Sequence, residues 1–596
     1  MTPILFMRSL GYLRWEQIAF RPLRAAQYRI YRALPQFASF WRDPRTHVPE
    51  IDPQTIEKFR STFQNEFAHL NTYAVGFDRR LQDLRDGKFT FLNQTLKIDR
   101  IDWNHRYDSP LWNYHLHYFN YAVWCAREFV NEGDRLLWEA CRRLIEGWIE
   151  QAKIGRSDGW HPYPISLRVV NWIYAYALIA DRCEDREFLD RWRKSIYDQL
   201  GFLSHHLEFH LLANHLIKNA KALTIGGLFF NCHEWLDKGE KLLWSEFDEQ
   251  VLEDGGHFER SPMYHAEVLA DYLECFALLK ASGRARQSGW IETKLRAMAR
   301  FLKAMSYPDG TLALFNDSAN TDESNPLLII ETTARTAGLD NRNFTPAFPQ
   351  TGYYLWSSKD EREKIIVDAG QPSAEYNSAH AHCDLLSYEL RLDGEPFIVD
   401  SGVHGYGGDP YRQYCRSTRA HNTVMFDGRE QSETWATFRM GRRAKLISVR
   451  SSSGEQTWSF KAGYHPFYDS HLVHERRIYR MAGGEWFFED RLSKGHAKEA
   501  TSYIHLHPGV KARKLSSHGL AIECLTGRLK VKIEPFSAWG VTIAEGCESS
   551  IEGWYFPEFG VAQPSATICF DYRVKRGEPF GYKITKNREW GAGSRE

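Results

Sequence analysis

The chain has 596 residues, 43% of them hydrophobic and 26% charged, a globular composition that excludes a disordered or collagen-like chain and has room for roughly two to four domains. Lys+Arg and Asp+Glu both number 76, so no net field recruits nucleic acid or an anionic membrane, although a local basic cleft is allowed. Aromatic residues reach 14%, which fits a large ring-packed helical core or a groove whose flat rings cover sugar faces.

At the N-terminus the apolar run 3–7 is short, Arg8, Arg14, Arg21 and Arg24 interrupt the residues after it, and no small-residue cleavage site appears, so no signal peptide is recognisable. The segment reads as an amphipathic basic helix suited to touching a surface. No stretch reaches the ~18 apolar residues of a transmembrane segment. The ten cysteines are scattered, lack any CxxC pair and read as reduced core thiols. A cytoplasmic location is expected, with the periplasm as the alternative.

Residues 1–90 are assigned to an N-terminal helical extension. Beyond them, apolar positions recur at three- and four-residue steps in 111–130, 134–152, 165–180, 188–210, 215–228, 232–252, 262–281 and 290–305. Breaker-rich connectors such as Asp254-Gly255-Gly256 and Tyr307-Pro308-Asp309-Gly310 separate them. Long helices on short turns stack as antiparallel hairpins, and 91–335 is expected to form an incomplete (α/α) toroid. Near residue 350 the pattern changes to short alternating segments, among them 352–357, 364–368, 386–392, 396–400, 422–426, 445–450, 486–491, 501–506 and 529–535, divided by turns such as Asp427-Gly428. Residues 350–596 are therefore expected to form an antiparallel β-sandwich, with the boundary within 322–348. The fold class is multidomain α+β.

Three clusters carry polar chemistry. Asn214 and Lys218 are four apart on one helix face, with His210 a turn earlier; such a stripe can orient a carboxylate or join two helices by polar contacts. Ser261 and Pro262 have the residue types of an N-cap and first helical position, which puts Tyr264 in the first turn, at the positive end of the dipole. That suits a proton-transfer group, and it also suits a core tyrosine under a polar loop. In His380-Ala381-His382-Cys383-Asp384, alternation puts both histidines on one strand face. With Asp400 at the end of one strand and His421 at the start of another, His382 completes a two-His, one-carboxylate set compatible with zinc or with separate hydrogen-bonded polar residues.

These pieces together resemble the heparinase II/III superfamily of polysaccharide lyases: Ala213-Asn214-His215-Leu216, the Gly-Gly run ending Tyr264-His265, His380-Ala381-His382-Cys383-Asp384, Val399-Asp400-Ser401-Gly402 and Arg419-Ala420-His421-Asn422. The resemblance covers nearly the whole chain after the first ~90 residues. It implies a toroid, a sandwich and a cleft between them. It further implies that Asn214 and His215 bind a uronate carboxylate, that Tyr264 and His380 transfer protons, and that His382, Asp400 and His421 hold one structural zinc. The missing signal peptide and the basic N-terminal segment resemble the branch associated with bacterial surface polysaccharides, so heparin is not assumed as substrate.

The chemistry implied is β-elimination on a 4-linked uronic-acid-containing polysaccharide. A base removes the C5 proton, hydrogen bonds to the carboxylate stabilise the enolate-like state, and an acid protonates the departing 4-linked sugar. The expected partner is an anionic uronate-containing polysaccharide or oligosaccharide. Arg260, Arg416 and Arg419 are expected to lower the Tyr264 pKa and, with Lys218, to form anionic subsites. Trp112, His117, Trp160 and Arg168 are expected to line the groove, or else to be core residues at helix ends. The alternatives are a uronyl C5-epimerase, with Tyr264 and His380 on opposite sugar faces, and a non-catalytic polysaccharide-binding or assembly protein.

Overall fold

The computed structural model describes residues 3–42, 46–70, 73, 77–285, 288–339, 345–454, 456–527 and 529–587. Helices fill the first part, and their burial alternates along the chain. Pro162–Ile179, Ala213–Phe229 and Pro262–Ala281 are buried around nearly their whole circumference. Arg135–Gln151, Arg186–His205, His233–Gln250 and Ser288–Ala304 bury a stripe. Leu137, Trp138, Cys141, Ile145 and Trp148 form the first such stripe, at the spacing of one helix face. Apolar helices therefore form the inner layer of the (α/α) toroid and amphipathic ones the outer layer. Trp148, Trp172 and Trp192 pack edge-on between layers, with Trp148 and Trp172 centroids 5.4 Å apart. Much of the aromatic content is core.

The expected helix 111–130 is two helices, Pro110–Tyr118 and Asn120–Glu132, broken at left-handed Phe119 with φ 58°. The break frees carbonyls inside the core, and buried carbonyls need donors. Arg168 supplies one to His117 O at 3.0 Å and Asn171 one to Tyr118 O at 2.8 Å. The first ninety residues are joined to the same core through Phe59, Phe63 and Phe67. Within the expected boundary, Asn325 caps an additional helix, Pro326–Thr336, by accepting from Leu327 N at 3.1 Å.

From residue 347 onward three antiparallel sheets share a second core. A five-stranded sheet runs from Ala347–Phe348 to Glu395–Ile398 in sequence order, and an eight-stranded sheet has Trp486–Lys494 and Pro579–Asn587 at its centre. A four-stranded sheet contains Val424–Phe426, Glu499–His505, Ala566–Arg573 and Ala538–Glu545. Ile365, Phe460, Phe488 and Phe570 bury together between them. The last strands lay beyond the predicted set, and the eight-stranded sheet depends on one of them: Pro579–Asn587 pairs with both Trp486–Lys494 and Lys530–Phe536. The segment 380–384 is an extended loop and not the strand expected.

Candidate active site and metal set

A cleft of about 1220 Å³ lies between the toroid and the sheets. The segments that supply it turn sharply through non-glycine residues of positive φ: Leu212 (63°) and Ala213 (54°) before Asn214, Arg260 (58°) before Ser261, and Asn316 (57°) before Asp317. Each such turn costs roughly 1–3 kcal/mol, and here each one precedes a polar side chain at or beside the cleft. His210 accordingly lies ahead of the helix, off the Asn214–Lys218 face.

Ser261 Oγ caps the helix Pro262–Ala281 and sets Tyr264 in the first turn. Tyr264 Oη is 2.7 Å from Tyr406 Oη, and its ring lies against His380 with centroids 4.1 Å apart. Burial pushes the Tyr264 hydroxyl well above its ordinary pKa, and Tyr406 adds to the shift. The helix dipole does not win, and the phenol stays protonated.

His380 donates from Nδ1 to Asp317 Oδ2 at 2.9 Å, so Nε2 is the nitrogen left to exchange a proton. Glu259 Oε1 is 3.9 Å from that Nε2. Asp317 also accepts from His382 Nε2 at 2.7 Å and from both terminal nitrogens of Arg412. Burial alone would raise its pKa, but Arg412 and the two histidines outweigh that and hold it well below the carboxylate range. Asn214 and Asn377 each donate to buried Glu259 at 2.9 Å, which ties Asn214 to the loop carrying His380. His215 Nδ1 meets Glu208 at 3.2 Å, and the imidazole lies 4.5 Å from the Tyr163 ring.

Among the expected substrate-binding residues, Lys218 lines the cleft, already paired with Asp271 at 2.7 Å. The others do not line it. Trp112 and Trp160 are core residues whose indole N–H groups donate to Gln94 O and Ala152 O, both at 3.1 Å. His117 accepts from Trp148 Nε1 and is pulled by burial to a pKa of about 3. Arg168 is fully buried, bonded to Gln199, His117 O and Gly159 O. Arg260 donates to Thr351 O at 2.8 Å, Arg416 donates to Ala381 O, Ala436 O and Thr437 O, and Arg419 stacks on Tyr414. These arginines satisfy backbone carbonyls or cover a ring, so they do not lower the Tyr264 pKa.

Tyr406, Glu259, Asp317, Arg412 and Glu267 were missed. Tyr406 carried a signal, standing in the glycine-rich run Gly405-Tyr406-Gly407-Gly408. Glu267 lies one turn after Tyr264 on the cleft wall, and burial pushes its pKa up to about 7.

Behind Asp317, His382, Asp384 and His421 converge, with ligand atoms all within 4.8 Å of one another. His382 Nδ1, Asp384 Oδ2 and His421 Nε2 are buried and lack any hydrogen-bond partner, an arrangement that is costly unless a cation is bound. The far nitrogens donate to carboxylates, His382 Nε2 to Asp317 and His421 Nδ1 to Asp400 at 2.8 Å, the outer-shell pattern of metal-binding histidines. The donor set thus fits zinc. It corrects one expectation, because Asp384 supplies the carboxylate oxygen facing the imidazoles and Asp400 stands behind His421.

A helical toroid and a β-sandwich thus meet at a cleft that holds asparagine, histidine and tyrosine together. Residues 19–336 match the heparinase II/III N-terminus and 342–583 the heparinase II/III-like C-terminal domain; the chain belongs to the heparinase II/III family. It is 26% identical over 321 residues to a heparin-sulfate lyase of Pedobacter heparinus, a match covering 48% of each chain. It is 25% identical over 465 residues to one of Bacteroides thetaiotaomicron, covering 70% of this chain and 64% of that one. The matched region therefore spans about half to two-thirds of these relatives. The crystal structure of heparinase III superposes with a TM-score of 0.68 at 18% identity, covering 93% of this chain and 89% of that one; it shares the fold.

Proposed function

We propose that the protein is a polysaccharide lyase that cleaves a 4-linked uronate chain by β-elimination. The observation carrying this reading is the contact of Tyr264 with His380 beside Asn214 and His215 in one cleft. Asn214 keeps one amide hydrogen beyond that given to Glu259, and with the His215 imidazole it stabilises the enolate-like carboxylate. His380 Nε2 takes the C5 proton while its Nδ1–H stays on Asp317. Tyr264, protonated because it is buried, gives its proton to the departing O4; His380 then releases the C5 proton to solvent and the Tyr264–Tyr406 pair takes one back, which resets both groups.

Because Tyr264 and His380 stand side by side, they serve a syn elimination. That suits a uronate whose C5–H and C4–O lie on the same ring face, as in the gluco configuration. Their side-by-side placement supports elimination over the opposite-face pair that a C5-epimerase needs. The relatives' names support a glycosaminoglycan-like substrate. Glu259, Glu267, Asp271, Glu274, Glu323 and Asp409 line the cleft and outnumber its cations, Lys218, Lys221, Arg21, Arg439 and Arg443, and both lysines are already paired with Asp271. This balance suits a chain with sparse charge over a heavily sulfated one.

We further infer one structural zinc held by His382, Asp384 and His421. When bound it cross-links the loop 380–384 to the segment before Val424–Phe426, and so steadies the Asp317–His380 pair. Incubation with unsulfated and sulfated gluco- and ido-uronate polysaccharides tests the substrate assignment. Faster formation of unsaturated ends from the unsulfated gluco chains supports it, and equal or faster cleavage of sulfated ido chains overturns it.

A further inference from the structure

The helices Pro3–Leu10, Trp15–Ala33 and Pro35–Ser39 have their polarity turned outward. Their polar side chains grip the protein. Gln17 donates to Leu211 O, Arg21 to His210 O, Arg24 to Leu207 O at 3.0 Å, and Tyr28 to Trp160 O at 2.9 Å. Arg8 pairs with Glu433 at 2.7 Å and Arg14 with Glu249 at 2.6 Å. Their apolar side chains face water. Trp15 is 70% exposed and Phe40 73%, and Ile18, Leu23, Ile30 and Phe37 share the exposure.

Along Trp15–Ala33 the exposed apolar positions 15, 18, 19, 22, 23, 25, 26, 30 and 33 follow helical spacing, which makes them one continuous stripe. Elsewhere among the described residues, large exposed hydrophobics are scattered along the chain. A contiguous apolar patch of this kind marks a site of contact.

We propose that this face docks on an anionic lipid bilayer, lying in the headgroup plane. Charge complementarity selects that occupant. The exposed charged residues between 3 and 42 are Arg14, Arg29 and Arg32; Arg14 is paired with Glu249, which leaves Arg29 and Arg32 as the charges of this face, both positive, with no exposed carboxylate in the segment. Aromatic and branched apolar side chains beside exposed arginines are the composition of an interfacial helix. No helix among the described residues is long and apolar enough to cross a membrane, so the segment lies on the surface. Tyr12, Gln17 and Arg21, on the reverse side, line the cleft. Docking therefore brings the cleft beside the lipid surface, where a membrane-carried polysaccharide is within reach. Docking of this face does not depend on the chain being a lyase.

The test is co-sedimentation of the full chain with vesicles of phosphatidylcholine alone and of equimolar phosphatidylcholine and phosphatidylglycerol. Wild type is expected to pellet with the anionic vesicles, less with the neutral ones, and less as salt rises. Combined Arg29→Gln and Arg32→Gln should weaken anionic-vesicle binding roughly 30-fold. Combined Trp15→Ser, Ile18→Ser and Phe37→Ser should abolish binding while leaving the melting temperature within about 2 °C. Wild type remaining in the supernatant with anionic vesicles at low salt overturns the proposal. So does a wild-type dimer that binds no vesicles and that the triple variant returns to monomer, since the face then belongs to a second copy.

Discussion

Tyr264 keeps its proton because burial outweighs the first-turn dipole, and that fixes its part in the proposed elimination as the acid. Tyr264→Phe should lower kcat by about 10²–10⁴-fold with KM nearly unchanged, and Tyr406→Phe should give a smaller kcat loss. Steady-state kinetics on the cleaved polysaccharide check both. Glu267 gives a pH signature. Its carboxyl is raised by burial from 4.5 to about 7, so it is neutral in weak acid and becomes a repelling anion on the cleft wall above neutrality. Glu267→Gln should therefore lower KM for an anionic chain at pH 8 and leave it unchanged at pH 5.5. The same shift gives a stability sign. A raised carboxyl pKa contributes stability that is full below about 4.5 and lost as pH rises through about 7, so the variant should melt higher than wild type at pH 8 and alike at pH 4. Tyr264, Asn214 and His380 were legible because a cap, a helix face and a short motif announce them locally. Arg168, Arg416 and Arg260 were misread because a buried arginine holding carbonyls has the same sequence appearance as one awaiting an anion. The two are separated by the Phe119 break and the loop carbonyls of Ala381 and Thr351, which no local pattern shows.

Most of the toroid helices were legible to within a few residues, since inner helices are apolar all round and outer ones carry a stripe; the exceptions are 111–130, which is two helices, and the additional Pro326–Thr336. Pro262–Ala281 begins and ends where its cap and periodicity predict. The strands were less complete: Ala538–Glu545 opens with a bulge near Gly540, and Pro579–Asn587 has Gly581 at φ 143°, features that interrupt alternation. The loop 380–384 carries the metal argument at this scale. Its two histidines were legible, but choosing Asp384 over Asp400 required the orphaned atoms to be seen in three dimensions. Purified protein should contain about one zinc per chain. Asp384→Asn should release it, and Asp400→Asn should weaken it about 10–100-fold through the His421 orientation. A chelator or His421→Ala should lower the melting temperature, with no further drop when the two are combined. Elemental analysis and thermal melts in chelator check this; metal-free protein with unchanged melting contradicts it.

At the scale of the whole molecule, a helical core and a sheet-rich core enclose a cleft whose proposed acid, base and carboxylate-binding groups come from both parts: Asn214 and Tyr264 from the toroid, and His380 and Tyr406 from the sheet-rich part. The sequence order of motifs across a helix-to-strand switch was enough to anticipate that meeting. It could not reveal that Tyr264 and His380 stand in contact where the two parts meet. The most direct test is the fate of the uronate chain in deuterated buffer, tracked by ultraviolet absorbance and mass spectrometry. β-Elimination by this site yields shorter chains with absorbing 4,5-unsaturated ends, no deuterium at C5 of the remaining internal residues, and loss of both products in Tyr264→Phe. Deuterium entering C5 of intact chains with no unsaturated ends, or unsaturated ends formed equally by Tyr264→Phe, contradicts it.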